Sequence, residues 1–115
     1  MKIRGIVFAG TATTERESTS TFLRDVLGLT SIPLEGVEAD LFALPDGTAF
    51  AVAPVDSPDE AGRTIGFVVD DLDAAIAELH EAGVETDGIA ENARWRYTHF
   101  RMPDGKLYEL VEERT

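Results

Sequence analysis

The feature that most constrains the fold of this chain is an internal repeat with a period of about 55–58 residues. The turn Pro45-Asp46-Gly47 recurs as Pro103-Asp104-Gly105, an offset of 58 residues, and Gly28 recurs as Gly83, an offset of 55. The order of the predicted elements repeats as well, because each half has a strand, a helix and three further strands. Such a repeat indicates two copies of one βαβββ module. Each copy alone is too small to bury a stable core, so we expect the two to pair.

In the first copy, a strand is predicted at residues 3–10 and a helix from about residue 15. Thr14 and Glu17 have the spacing of a capping box at the start of this helix, and Gly28 is suited to its end. The apolar stripe of the helix consists of Phe22, Leu23, Val26 and Leu27. Three short strands are predicted to follow, at residues 30–35, 39–44 and 48–54.

The second copy begins with the apolar strand "RTIGFVV". Asp71 is placed to cap the next helix, which has apolar residues at helical spacing and ends at Gly83. Strands are predicted near 84–87, 94–101 and 106–112. The predicted modules therefore cover about 1–56 and 62–115, and the linker-like stretch "VDSPDEAG" joins them at residues 55–62.

Composition excludes several classes of function. The 115 residues are 43% hydrophobic and 28% charged, which is typical of one soluble globular domain. The absence of cysteine excludes disulfides, thiolate nucleophiles and cysteine-ligated zinc. A net charge of −12 disfavours binding to nucleic acid. No apolar run has the length of a membrane span or of a signal peptide core, so we predict no membrane partner and a cytoplasmic location.

The chain resembles a known family in three stretches. These are "FLRDVLGL" at the end of the first helix, "FVVDDLDAAIAELHEAGVE" in the second copy and "FRMPDGKLYELVEE" across the last hairpin. With the βαβββ repeat, they resemble the glyoxalase/bleomycin-resistance/dioxygenase group, the vicinal oxygen chelate superfamily. The resemblance implies an α+β fold in which two βαβββ modules form a curved mixed sheet around a cavity, with the helices outside. It also implies a small-molecule ligand and a homodimer.

The resemblance does not indicate one activity, since the superfamily includes isomerases, lyases, ring-cleaving dioxygenases, thiol transferases and drug-binding proteins. Its metal-dependent members take ligands from the first strand of each module and from the last strands. These positions fall on Phe8, Thr64, Ala51 and Glu109. Only Glu109 matches a family ligand, because phenylalanine and alanine have no ligand atom and a threonine hydroxyl is a weak one. We therefore predict that the metal site has been lost and that no cofactor is bound.

Glu109 itself lies among apolar residues of a predicted strand, where an unpaired carboxylate would cost several kcal/mol. Two interpretations are open. Glu109 could be a retained carboxylate that water, an arginine or a tyrosine hydroxyl satisfies. It could instead face a ligand, as an acceptor or a general base.

His99 is predicted to lie opposite Glu109 if Arg101 pairs with Leu107, whereas a loop one residue shorter would put Thr98 there. The resemblance favours the first register, since ring-cleaving dioxygenases have a cavity-facing tyrosine ten residues before their glutamate. Trp95 and Tyr97 would then share a face with His99. The pair could be an acid/base dyad, or His99 could be a half-buried histidine satisfied by its neighbour.

Three functions follow from this reading. The first is a metal-free protein that binds a planar aromatic drug or metabolite, with Phe8, Thr64, Ala51, Trp95, Tyr97, His99 and Glu109 as ligand-binding residues. The second is a glyoxalase-like isomerase or lyase with Glu109 as base and His99 as its partner, metal-independent or with a rebuilt metal site. The third is a scaffold whose aromatic side chains fill the hollow or a subunit interface.

Overall fold

The computed structural model describes residues 1–115 and contains two α-helices and eight strands. The first module comprises β1 (Gly5–Thr13), α1 (Arg16–Asp25), β2 (Thr30–Ile32), β3 (Asp40–Ala43) and β4 (Ala49–Pro54). A short 3-10 turn, Pro58–Glu60, lies in the predicted linker. The second module comprises β5 (Gly62–Val68), α2 (Leu72–Glu81), β6 (Ala90–Glu91), β7 (Trp95–Arg101) and β8 (Leu107–Glu113). The predicted α+β class and the repeated element order are confirmed. Neither helix has the length and apolar character needed to cross a membrane.

The chain divides into two compact units, and the strands that lie wholly or mostly in each unit form both parallel and antiparallel pairs. Unit 1 consists of Met1–Val7 and Thr64–Thr115, and unit 2 consists of Phe8–Arg63. The strand order is β5-β8-β7-β6 in unit 1 and β2-β3-β4-β1 in unit 2. Each unit has one parallel pair, β5 with β8 or β1 with β4, and its other pairs are antiparallel. The pairing pattern therefore repeats along with the sequence landmarks.

The core of unit 1 forms where α2 packs on the sheet. Its buried apolar residues are Val69, Leu72, Ala75, Phe100 and Leu110. The predicted cap is confirmed, because the Asp71 carboxylate accepts a hydrogen bond from the Ala74 N–H at 3.1 Å. The Leu72 N–H donates to Glu112 on β8 at 3.0 Å, so a second orphan donor of the helix start is satisfied by the sheet.

The core of unit 2 uses less of α1 than the apolar stripe predicts. Leu23 is buried with Phe42 and Val52, but Phe22 and Val26 are 51% and 66% exposed. The reason is the end of the helix at Asp25, three residues before Gly28, which adopts a φ of +73°. The chain then reverses, the Leu29 N–H donates to the Leu23 carbonyl at 2.9 Å, and Leu29 packs on the core in place of Leu27.

Two local predictions are wrong. The capping box is absent, because α1 starts at Arg16 and its N-cap residue, Glu15, makes no side-chain capping bond. The strand predicted near 84–87 is reduced to a single bridge between Thr86 and Phe100, and pairing with β7 resumes only at β6. The segment leaves the edge of β7 because Asp87 uses its carboxylate, not its backbone carbonyl, to accept the His99 N–H.

A polar contact joins α1 to β3. Arg16 donates to both carboxylate oxygens of Asp40 at 3.1 Å, and the Ser20 hydroxyl donates to the same group at 2.6 Å. The Arg16 hydrogen bonds, followed by that of Ser20, hold the pKa of Asp40 below its ordinary value. Asp40→Asn should lower the free energy of unfolding by about 1–2 kcal/mol, since charged hydrogen bonds are lost from a half-buried site. Urea denaturation measures this change.

The matched control is Glu38→Gln. Glu38 is an exposed carboxylate 3.8 Å from Arg16, and exposed ion pairs contribute little. Equal losses in the two variants would contradict the assignment of this stabilisation to Asp40.

Candidate functional site

The β7–β8 hairpin has the register that places His99 beside Glu109. Arg101 pairs with Leu107 and His99 pairs with Glu109, as the first of the two predicted registers requires. The loop between the strands is closed by a hydrogen bond from the Met102 N–H to the Lys106 carbonyl at 2.9 Å. Gly105 sits in it with a φ of +83°, which other residues rarely adopt. The repeated Pro-Asp-Gly turn thus fixes which side chain faces Glu109.

Glu109 is buried and paired. It is 7% exposed, and its Oε2 lies 3.0 Å from Nε2 of His99. A carboxylate in this position needs a cation or hydrogen-bond donors to offset its lost hydration. The partner is the cross-strand histidine that the first register placed opposite Glu109, and not an arginine or a tyrosine hydroxyl.

The second ring nitrogen of His99 is occupied by Asp87, a residue that the sequence analysis did not single out. Nδ1 of His99 lies 2.7 Å from Oδ2 of Asp87, and the His99 backbone N–H donates to Oδ1 at 2.7 Å. One signal could have pointed to it: Asp87 is followed by Gly88, and an Asp-Gly pair indicates a turn more than a strand interior. The imidazole is therefore held between two carboxylates.

This arrangement makes His99 a cation at neutral pH. The contact with Glu109 raises the pKa of His99 most strongly, burial opposes it, and the hydrogen bond with Asp87 adds to it, so that the pKa reaches about 9. Burial disfavours ionisation of Asp87, but the hydrogen bonds from His99 and Thr98 outweigh it and keep the pKa of Asp87 below its ordinary value. Two carboxylates and one imidazolium leave one net negative charge at the site.

Two aromatic side chains share the face of β7 that carries His99. Tyr97 meets the imidazole edge-on, with ring centres 5.8 Å apart and planes at 77°. Burial, and then the charges of Glu109 and Asp87, raise the pKa of Tyr97, so its hydroxyl remains protonated and available as a donor. Trp95 lies two residues before Tyr97 on the same strand and has the Arg94 guanidinium 4.8 Å from its ring centre. Both aromatic residues are half-buried.

The other predicted site residues lie on the strands expected for them. In unit 1, Thr64 is on β5, two residues before Gly66, which pairs with Glu109, so Thr64 and Glu109 are on the same sheet face. In unit 2, Phe8 is on β1, and Ala51 on β4 pairs with Gly10. The Phe8 ring covers Gly10 so closely that a Cβ there would lie 3.2 Å from Phe8 Cζ. Phe8 and Ala51 therefore share one face of the unit 2 sheet.

The three ionisable residues Asp87, His99 and Glu109 are not arranged around a common point. The imidazole lies between the carboxylates and directs one nitrogen to each of them. No group of three or more histidine, aspartate and glutamate side chains in this structure is placed to hold a metal ion. The arrangement suits proton sharing and ion pairing.

Comparison with known proteins identifies the family. The sequence model of the Glyoxalase/Bleomycin resistance protein/Dioxygenase superfamily matches residues 6–110. The uncharacterised protein YwkD of Bacillus subtilis is 38% identical over a 77-residue alignment that covers 64% of this chain and 57% of YwkD. The chain thus matches little more than half the length of this curated relative.

Solved structures agree on the fold. The methylmalonyl-CoA epimerase of Mycobacterium tuberculosis has a TM-score of 0.76 at 24% identity, covering 98% of this chain and 90% of the epimerase. The 2,3-dioxygenase LapB of Pseudomonas sp. KL28 has a TM-score of 0.78 at 25% identity, covering 98% of this chain and 42% of LapB. One fold thus accommodates an epimerase and a dioxygenase, so the activity of this chain must be inferred from its own residues.

Proposed function

The chain belongs to the glyoxalase/bleomycin resistance protein/dioxygenase superfamily, and we propose that it binds a planar aromatic small molecule without a metal ion. The observation that carries this proposal is the buried Glu109–His99 ion pair beside Tyr97 and Trp95 on one sheet face. Aromatic side chains favour contact with flat rings, and a site with a net negative charge favours a ligand that is cationic or carries hydrogen-bond donors. The ion pair uses Oε2 of Glu109, so Oε1 is the acceptor offered to the ligand.

The residues at the family's metal positions support the metal-free part of this proposal. Phe8 and Ala51 have no ligand atom, and Thr64 has only a hydroxyl. Glu109 faces the imidazole of His99 at 3.0 Å, and a metal ion would have to displace this contact. This donor set does not fit a divalent cation.

A second function, an isomerase or lyase with Glu109 as base and His99 as its partner, is favoured by one observation. The 3.0 Å contact gives the two residues a path for proton exchange on a half-buried face. A protonated His99 would act as the proton donor of such a pair. The likeness to an epimerase structure supports only the fold of this alternative. The homodimer and the cytoplasmic location remain predictions.

The proposal is tested with 9-aminoacridine, a planar aromatic cation, on protein treated with EDTA. At a hundred times its Kd a ligand adds about 2.7 kcal/mol to the free energy of unfolding, so we expect the melting temperature to rise by several degrees. Trp95 is the only tryptophan, and its fluorescence should change on binding with the same midpoint. Tyr97→Ala should weaken binding about 2- to 13-fold, since one aromatic contact is worth roughly 0.5–1.5 kcal/mol.

Phe22→Ala is the matched control, because Phe22 is an exposed aromatic residue of unit 2. Equal losses in the two variants would mean that the acridine adheres to apolar surface, and the binding proposal would fail. Wells with Ni²⁺, Zn²⁺, Mn²⁺ or Fe²⁺ should show no rise in melting temperature. A rise of several degrees with one of these ions would overturn the metal-free part of the proposal.

A further inference from the structure

We infer that Asp87 is a positioning residue of this site: it holds the imidazole of His99 in the orientation that keeps Nε2 on Glu109. The contacts of Asp87 with His99 and Thr98 support this role. The effect of Asp87 on ligand binding rests on the proposed function. Asp87 differs from the other surface carboxylates because it lies along the edge of β7 and hydrogen-bonds the backbone of His99.

The edge of β7 that faces away from β8 is completed by two different means. Along its first half, β6 pairs with it, with Ala90 opposite Tyr97 and Glu91 opposite Arg96. At His99 the side chain of Asp87 takes the place of a strand: Oδ1 accepts the His99 N–H at 2.7 Å, and the Asp87 N–H donates to the His99 carbonyl at 3.2 Å. The backbone of His99 thereby holds both the carboxylate and the backbone N–H of Asp87.

A buried hydroxyl fixes Asp87 further. Oγ1 of Thr98 lies 2.9 Å from the backbone carbonyl oxygen and 2.9 Å from Oδ1 of Asp87, so its hydrogen can be donated to either. Thr98 is fully buried, which limits its own movement. The preceding residue, Thr86, is held by its bridge to Phe100 and by a 3.0 Å contact with His80. The Asp87 carboxylate is therefore oriented in advance, although its side chain is 54% exposed.

An oriented carboxylate restricts the ring that it binds. Oδ2 of Asp87 holds Nδ1 of His99 at 2.7 Å, on the side opposite Glu109. Without this bond Nδ1 would face solvent, and rotation about the Cα–Cβ and Cβ–Cγ bonds would be limited only by Glu109 and by the edge contact with Tyr97. Asp87 thus acts through His99, and the ligand is expected to meet Glu109 and Tyr97 in fixed positions because Asp87 is there.

The direct test is the NMR signal of the imidazole N–H protons, assigned by their loss in His99→Gln. In wild-type protein both ring protons should be protected from exchange with water.

Asp87→Asn keeps Oδ1 as an acceptor for the edge of β7 but replaces Oδ2, so it should abolish the protected Nδ1–H signal. Asp87→Glu, which retains a carboxylate, should recover part of it. Glu85→Gln is the matched control: it removes an exposed carboxylate two residues earlier in the chain and leaves the Nδ1–Oδ2 bond, so the signal should remain.

An unchanged pair of ring signals in Asp87→Asn would overturn the inference. So would free exchange of Nδ1–H in the wild-type protein, a measurement that needs no variant to fold. The affinity for 9-aminoacridine separates the two proposals: Asp87→Asn should weaken it several-fold, and Glu85→Gln should not. If the wild type binds no acridine but its ring signals depend on Asp87, the proposed function fails and the positioning role stands. If acridine binds and the ring signals ignore Asp87, the positioning role fails alone.

Discussion

Relative to His99→Gln, the wild-type protein should lose about 3 kcal/mol of its free energy of unfolding as the pH rises from about 6.5 to about 9. The cause is the imidazolium between Glu109 and Asp87, whose pKa reaches about 9 in the folded chain against an ordinary 6.5. A difference of one in pKa corresponds to about 1.4 kcal/mol, and the side chain is only 28% exposed, so solvent screens the effect little.

The sign follows from which state holds the proton more tightly. The folded chain binds the His99 proton more strongly than the unfolded chain, so the stabilisation is complete below the unfolded pKa and disappears as the pH passes the folded one. Three groups face the ring: Glu109, Asp87 and Tyr97. The pKa of Asp87 is lowered and that of Tyr97 is raised, so their own contributions change in acid and in strong alkali, outside this window.

The prediction is tested by urea denaturation, which measures the free energy of unfolding of both proteins at pH 6.5 and below and at pH 9 and above. The difference between wild type and His99→Gln should be large at the lower values and close to zero at the higher ones. A difference that stays constant across the range would mean that His99 is neutral in the fold, and the described ion pair with Glu109 would be wrong.

The pairing of His99 with Glu109 could be predicted because strand periodicity and one turn determine it. Side chains alternate along β7 and β8, and the loop at 102–106 sets the register, so the pattern left His99 or Thr98 as the facing residue, and the resemblance to ring-cleaving dioxygenases favoured His99. The repeat identified the same turn twice, which located both hairpins. Local rules reduced the choice to two residues here because each contact lies within one hairpin.

Asp87 could not be predicted in this way because its role depends on a strand that is too short. β6 covers only two residues of the edge of β7, so the backbone of His99 is left for a side chain twelve positions away to satisfy. Nothing in the pattern of residues 84–87 fixes the length of β6. The stripe on α1 failed for a related reason: the pattern counted Leu27 as core, but the turn after Gly28 brings Leu29 there.

Glu109→Gln distinguishes the two functions proposed for this site. If the site binds a cationic ligand, we expect the variant to bind 9-aminoacridine about 10- to 100-fold more weakly. The substitution keeps the shape of the side chain and an amide oxygen for His99, but it removes the charge that would meet a cationic ligand. Hydrogen bonds to charged groups are worth about 1.5–3 kcal/mol, which sets this range.

The matched control for this measurement is Glu112→Gln on the same strand. Glu112 faces the other side of β8, where it contacts Arg96 at 3.0 Å and the Leu72 N–H, so its loss should reduce stability and leave the affinity unchanged.

If Glu109→Gln instead leaves affinity intact while abolishing turnover of a substrate found by screening, Glu109 is a general base and the enzyme reading replaces the binding one. If affinity and turnover fall together, Glu109 is a binding residue. An acridine affinity unaffected by Glu109→Gln, without any turnover, would remove Glu109 from both proposals and leave its carboxylate as a structural partner of His99.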